Sequence, residues 1–187
     1  MPANDLREMI AWLKANPNKA SAGVVIGGTH VLTAFFQRET ATQFTLVPYR
    51  GSATQDLVTG QIDLYMATLN LLPLVRAGSI KLFAVSTDTR VAVAPDIPTF
   101  AEMGLPALSY RGWNGLFAPK GTPKDIIGKL NAAAVEALAD PAVRLSFGDF
   151  AEIVPRERQT PEALGALVKT DAEKWWPIIK ELGIKAE

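Results

Sequence analysis

Cysteine is absent from this chain of 187 residues and histidine occurs once, at His30. Disulfides, thiolate chemistry and cysteine-based zinc sites are therefore excluded together, and a single histidine makes no recognisable metal cluster. Net charge is also missing, because 19 basic residues face 19 acidic ones with no long run of either sign. That balance leaves no electrostatic footprint for a nucleic-acid backbone or an anionic membrane. No stretch reaches the roughly 20 apolar residues a membrane-spanning helix needs, and residues 1–8 do not resemble a basic segment leading into an apolar one. No Gly-x-Ser-x-Gly elbow is present, and Ser21, Ser52, His30 and Asp63 gain nothing from their spacing, so a hydrolytic triad has no support.

What remains is a globular composition, 48% hydrophobic and 20% charged, large enough for one good core or two small ones. Leu6, Met9, Ile10 and Leu13 follow the spacing of one helix face, with Asn4 or Asp5 as cap and Asn16-Pro17 as stop. Then strand and helix alternate. Residues 20–26 read as a buried strand, Gly27-Gly28 as a turn and 29–38 as a helix. Residues 44–47 form a second strand, 49–51 a turn and 52–58 a helix stopped by Gly60. A third strand at 62–67, a helix at 71–77 closed by Gly78 and a fourth strand at 82–85 follow. Such alternation predicts an α/β fold with a parallel sheet and helices on both faces.

Beyond Ser86 the pattern changes. Pro95, Pro98 and Pro106 punctuate a wrapping loop with one short helix near 99–103, and residues 113–118 read as a strand. The last third is mainly helical, with helices opened by Thr122-Pro123, Asp140-Pro141 and Thr160-Pro161-Glu162. Pro177 is expected to bend the last of them near Glu173. Trp175 and Trp176 point about 100° apart on that helix, so one is expected in a core and the other at an interface. Trp113 reads as packing.

The glycine corner is the most suggestive local feature. A strand that ends in Gly27-Gly28 and opens a helix at Thr29-His30 presents unpaired backbone N–H groups and the positive end of a helix dipole, where an anion sits without a cationic side chain. In a parallel α/β sheet, ligands also bind beyond the carboxyl ends of strands. Tyr49-Arg50-Gly51-Ser52 makes a second such turn, with Ser52 able to cap the next helix. Asp63 falls where the third strand begins and reads as a structural hydrogen-bonding residue.

Three phrases give these elements a context: Val47-Pro48-Tyr49-Arg50-Gly51 leading into Gly60-Gln61-Ile62-Asp63, then Pro95-Asp96-Ile97-Pro98-Thr99-Phe100-Ala101-Glu102-Met103-Gly104, then Gly115-Leu116-Phe117-Ala118-Pro119-Lys120-Gly121-Thr122-Pro123. Together they resemble the extracytoplasmic solute receptors of tripartite tricarboxylate transporters, the Bug or TctC family, from about Leu6 to Glu187. The resemblance implies a type II periplasmic-binding-protein-like fold, a two-lobed clamp. Residues 1–112 match its second lobe, 113–122 a hinge or crossover strand, and 123–187 a helical segment belonging to an incomplete first lobe. It also implies a periplasmic receptor, truncated at its N-terminus with no export signal in this chain, that binds a small organic carboxylate. Its further partner is an integral-membrane permease, and neither catalysis nor a cofactor is expected.

By the same resemblance, the acid is held through backbone amides in the corner carrying Ser21, Gly23, Gly27, Gly28, Thr29 and His30. Tyr49, Ser52 and Thr68 lie beside the cleft. Two departures stand out: the corner is one residue longer, with Val24-Val25-Ile26 in place of small polar residues, and Ala67-Thr68 stands where relatives frequently carry Phe-Asp. Without the first lobe's sheet, the apolar faces of the C-terminal helices, among them Ile126, Leu130, Val135 and Leu138, need a substitute cover. The expectation is a homodimer through those helices, or helices folded back on the α/β lobe. A cytoplasmic effector-sensing domain of similar two-lobed fold is the alternative function.

Overall fold

The computed structural model describes residues 2–25, 27–147 and 153–184. They divide into two compact units, Met1–Gly112 with Glu181–Glu187, and Trp113–Lys180. Among the described residues, the first carries the sheet and every buried residue; the second is helical.

The first unit begins with α1, Leu6–Ala15, capped by the Asp5 carboxylate, which accepts the Glu8 N–H. Leu6, Met9 and Leu13 are buried, as the helical spacing predicts, and Ile10 is half-buried at the edge of that face. Three parallel strands follow in the order β2-β1-β3, with β1 at Ser21–Val25, β2 at Thr45–Tyr49 and β3 at Leu64–Tyr65. Gly23 in the middle of β1 is in register with Val47 on one side and Tyr65 on the other. Helix α2, Gly28–Thr40, packs back on β1, and Phe36 beneath it stands 6.4 Å from the Phe44 ring and 6.1 Å from Phe100. The short helices α3, Thr54–Val58, and α4, Leu72–Arg76, complete the alternation. The chain is thus α/β with a parallel sheet.

Two strands expected from the sequence do not form. Residues 82–85 make a single bridge, Val85 to Thr99, in which the Val85 N–H reaches the Pro98 carbonyl and the Phe100 N–H reaches Val85. Pro98 accepts but has no N–H to donate, which limits further pairing on that side. Residues 113–118 join no ladder, and Leu116 and Phe117 stand 70% and 64% exposed. The segment is tied to its own unit by other means: the Trp113 Nε1–H donates to Asp171 Oδ2 at 2.5 Å, and Gly115 lies close to Leu164. β3 is also shorter than the predicted 62–67.

The Pro95–Gly104 phrase turns out to be a structural device. Thr99, 1% exposed, and Glu102 cap each other reciprocally: the Thr99 N–H donates to Glu102 Oε2 at 2.7 Å, and the Glu102 N–H donates to Thr99 Oγ1 at 3.1 Å. That is a capping box on a single hydrogen-bonded turn rather than a helix. Glu102 also holds the Arg90 guanidinium at 3.0 Å, and Arg90 Nη1 reaches the Pro95 carbonyl. The Thr99 N–H first, then Arg90, keep the Glu102 carboxyl below the usual carboxylate range. The loop is clamped while Glu102 is ionised.

In the second unit, α5 spans Lys124–Ala139, α6 Pro141–Phe147 and α7 Pro161–Glu181. The Asp140 carboxylate takes the Ala142 N–H and the Thr160 hydroxyl takes the Ala163 N–H, so two of the three helix starts read from the sequence are real caps; at the third, α5 has no side-chain cap, because the Thr122 hydroxyl donates back to the Pro119 carbonyl. No described residue of α5 or α7 is buried. Ile126 and Leu130 are 40% and 45% exposed and Trp176 is 68% exposed, whereas Val135, Leu138 and Trp175 are half-buried.

Candidate functional site

The three strands run parallel, so their carboxyl ends open on one side of the sheet, and the chain leaves each by a tight turn. A cleft of about 320 Å³ sits there. From the end of β1 it takes Val25 and Thr29, from the end of β2 Gly51, Ser52 and Thr54, and from the end of β3 the run Tyr65 to Thr68 with Asn70 and Leu71. Among the described residues lining it, none is charged. A larger hollow of about 470 Å³ lies along the second half of α2, lined by Gln37, Arg38, Gln43 and Leu182. Its cation is already engaged, with Arg38 bonded to Glu39 and to Glu181 and stacked over Phe35. Position decides in favour of the smaller cleft, because ligands of parallel sheets gather at strand carboxyl ends.

The corner at the start of α2 depends on two glycines. Gly27 has φ 123°, a backbone shape that strains any L side chain, and it leaves the helix without a side-chain cap. A Cβ on Gly28 would run into the Tyr110 hydroxyl, so glycine lets Tyr110 close over the helix start. Tyr110 is held there by its N–H to the Ser86 carbonyl and by Ser86 Oγ donating to its own carbonyl. The first-turn N–H groups of any helix have no partner within it, and here the corner is exposed at Gly27 and Gly28 and half-buried at Thr29 and His30. Ile26, in the lengthened part of the corner, lies outside the described residues.

The residues singled out from the sequence separate into three groups. Thr29, Ser52 and Thr68 come together around the cleft from three different turns. Gly27, Gly28 and His30 occupy the corner beside it without lining it. Ser21, Gly23 and Tyr49 are placed elsewhere by the strand geometry. Ser21 stands at the opposite, amino end of β1, where its N–H donates to Asp63 Oδ2 at 2.9 Å; this bond joins two strand starts and gives Asp63 the structural role expected of it. Gly23 is buried in mid-strand, where a Cβ would come within 2.7 Å of the Ala53 Cβ and 2.8 Å of Ile62 Cδ1. Its smallness serves packing. Tyr49 directs its hydroxyl to Asp56 Oδ2 at 2.5 Å, and that hydrogen bond, followed by burial and the charge of Asp56, raises the phenol above its ordinary pKa. The hydroxyl is committed to α3.

Tyr65 and Asn70 were not legible as site residues, and their chemistry sets the character of the cleft. The Thr68 hydroxyl donates to Asn70 Oδ1 at 2.7 Å, and the Asn70 amide N–H groups bond to no other described residue. Tyr65 makes no side-chain hydrogen bond to another described residue, and no buried side-chain nitrogen or oxygen among them lacks a partner, so both groups are open to solvent. Ser52 Oγ and Thr54 Oγ1 share a hydrogen bond at 2.6 Å, and Ser52 Oγ also accepts the Thr54 N–H. The Thr29 hydroxyl lies 3.4 Å from the Val25 carbonyl, to which it donates. The signal that could have found Tyr65 is the end of its own strand: it is the last residue of the two-residue β3, where the chain leaves the sheet.

Comparisons with known proteins agree with this architecture. The solved structure of a periplasmic transporter superimposes with a TM-score of 0.87 at 36% identity, over 99% of this chain and 63% of that one. MatC from Rhodopseudomonas palustris, solved with bound malate, gives 0.84 at 31% identity, over 95% of this chain and 63% of that one. Among curated proteins, an uncharacterised protein family 0065 member from Agrobacterium vitis, in the intergenic region between ttuE and ttuC', is 34% identical over 94% of this chain and 53% of its own length. BugT of Bordetella pertussis is 30% identical over 97% and 57%. The chain thus spans a little over half the length of these curated relatives. The profile of the tripartite tricarboxylate transporter family receptor, TctC, matches residues 1–184, and the chain belongs to that family.

Proposed function

We propose that this chain supplies one lobe of a receptor for a small organic acid, and that the acid's carboxylate is taken at the cleft where the three parallel strands end. The observation that carries the reading is the lining itself: a space of about 320 Å³ with hydroxyl and amide groups from three turns and no charged side chain. The uncapped start of α2, with its backbone N–H groups and dipole, lies beside it. A carboxylate is met by neutral donors, as in a site that must also release its ligand. Two relatives support the ligand class, since structural neighbours from Rhodopseudomonas palustris were solved with malate and with adipate. Residues 1–112 act as the second lobe of the clamp, residues 113–122 as the crossover, and residues 123–187 as part of the first. The assembled receptor works in the periplasm and hands its acid to a membrane permease.

A single lobe leaves one side of the ligand in water, so its affinity is low. Calorimetry and amide shifts in a titration with di- and tricarboxylates, benzoate-type acids and acidic amino acids test this. The expected dissociation constant is about 1 mM, near −4 kcal/mol, with shifts centred on Thr29, Ser52 and Thr68. Submicromolar affinity overturns the half-clamp reading. Saturating acid that moves none of those amides overturns the site.

The uncovered apolar side chains of the second unit, Leu116, Phe117, Leu130, Leu145 and Trp176 among them, support a homodimer through the C-terminal helices, since large apolar side chains left in water favour association. Light scattering at micromolar concentration is expected to give twice the mass of the chain; a compact monomer overturns the dimer.

A further inference from the structure

The cleft has a chemical polarity that narrows its ligand, and this step rests on the site reading just given. We infer that it selects acids whose second functional group is a hydroxyl, a further carboxylate or nothing, and discriminates against α-amino acids. An ammonium group withdrawn from water needs an anionic acceptor, because neutral oxygens replace its hydration only in part. Among the described residues that line the cleft there is no aspartate or glutamate. The carboxylates closest along the chain are engaged elsewhere: Asp56 accepts the Tyr49 hydroxyl, and Asp63 serves Ser21 at the other end of the sheet. The one charged residue in the β2–α3 turn is a cation, the exposed Arg50.

The hydrogen-bonding groups point the same way. Asn70, which lines the cleft, already accepts from Thr68 at its carbonyl oxygen, and its two amide N–H groups, which an acid's oxygen accepts and an ammonium does not, bond to no other described residue. Tyr65 offers a phenolic O–H that is free of other described residues. Hydroxyl oxygens with their protons already given away, Thr68 to Asn70 and Thr29 to Val25, accept a hydrogen bond from a ligand hydroxyl. A hydroxy acid therefore meets donors at its carboxylate and acceptors at its hydroxyl. An amino acid of the same skeleton brings a full positive charge to a lining with no negative one.

Malate and aspartate differ only in hydroxyl against ammonium at one carbon, so they isolate this effect. In amide-shift titrations of the whole chain at constant ionic strength and neutral pH, malate is expected to bind at least fivefold more tightly than aspartate. Asn70→Asp keeps the acceptor for Thr68 while replacing the amide N–H groups by a carboxylate oxygen in the lining, so it is expected to weaken malate and to shrink or invert the preference. Equal affinities, or tighter aspartate, in the unsubstituted chain overturn the inference and leave the acid site standing. A preference for malate that Asn70→Asp does not change also overturns it, because the discrimination then arises from other groups. If neither acid moves the Thr29, Ser52 and Thr68 amides, the site reading itself fails.

Discussion

A chain carrying Phe36→Ala will lose about 3 to 5 kcal/mol of stability, the usual cost of emptying a well-packed aromatic site. The ring is 2% exposed and touches three parts of the first unit at once. It belongs to α2, it faces Phe44 where the chain enters β2, and it faces Phe100 in the clamped Pro95–Gly104 turn. Small domains are stable by only about 5 to 15 kcal/mol, so the loss is about a fifth of the total or more. Urea unfolding followed by circular dichroism will show the transition of the α/β unit moved to lower denaturant at an unchanged slope. Phe117→Ala serves as the control. Its ring is 64% exposed and belongs to the other unit, so the expected change is within about 0.5 kcal/mol. A Phe36→Ala chain within about 1 kcal/mol of the parent would move the centre of the core away from the underside of α2.

The helices were the legible part of this fold, and the reason is local. Asp5, Asp140 and Thr160 each accept an N–H within a few residues, so their caps are written where they act. Leu6, Met9 and Leu13 mark the buried face of α1 by spacing alone. Strands have no such independence. Residues 82–85 and 113–118 carry the apolar character of strands, yet the first meets a proline-bearing neighbour and the second has no ladder partner among the described residues. The same distinction governs the site. Thr29 and Ser52 were candidates as residues that follow a strand's carboxyl end along the sequence, and Thr68 was one through the resemblance, at the place where relatives frequently carry Phe-Asp. Tyr65 and Asn70 were not, because their place depends on where β3 ends and on a hydrogen bond from Thr68. Ser21 and Gly23 are near the glycine corner along the sequence and not among the residues lining the cleft: one strand of five residues separates Ser21 from the cleft end by its full length. The Pro95–Gly104 phrase of the family motif holds a loop together through Thr99, Glu102 and Arg90.

Gly23→Val is the substitution that separates packing from binding at the residue where the two readings diverge most. The new Cβ would stand 2.7 Å from the Ala53 Cβ and 2.8 Å from Ile62 Cδ1, with the Tyr49 ring at 3.4 Å. The end of the Ile62 side chain can turn away. Ala53 cannot, because its Cβ is fixed to a backbone whose carbonyl accepts the Leu57 N–H at the start of α3. Relief requires moving the turn from Gly51 to Thr54 away from β1, and overpacking of this kind costs about 1 to 3 kcal/mol, occasionally more. That turn is one wall of the cleft. Urea unfolding of Gly23→Val is therefore expected to show the stability loss, and the folded protein to show shifted Ser52 and Thr54 amides before any acid is added. Gly23→Ala carries the same Cβ without the extra methyls and is expected to move both readouts in the same direction by less. Weakened acid binding then follows from a displaced wall. A Gly23→Val chain that keeps its full stability and unshifted amides, yet no longer binds acid, would make Gly23 a direct contact for the ligand and remove the packing explanation.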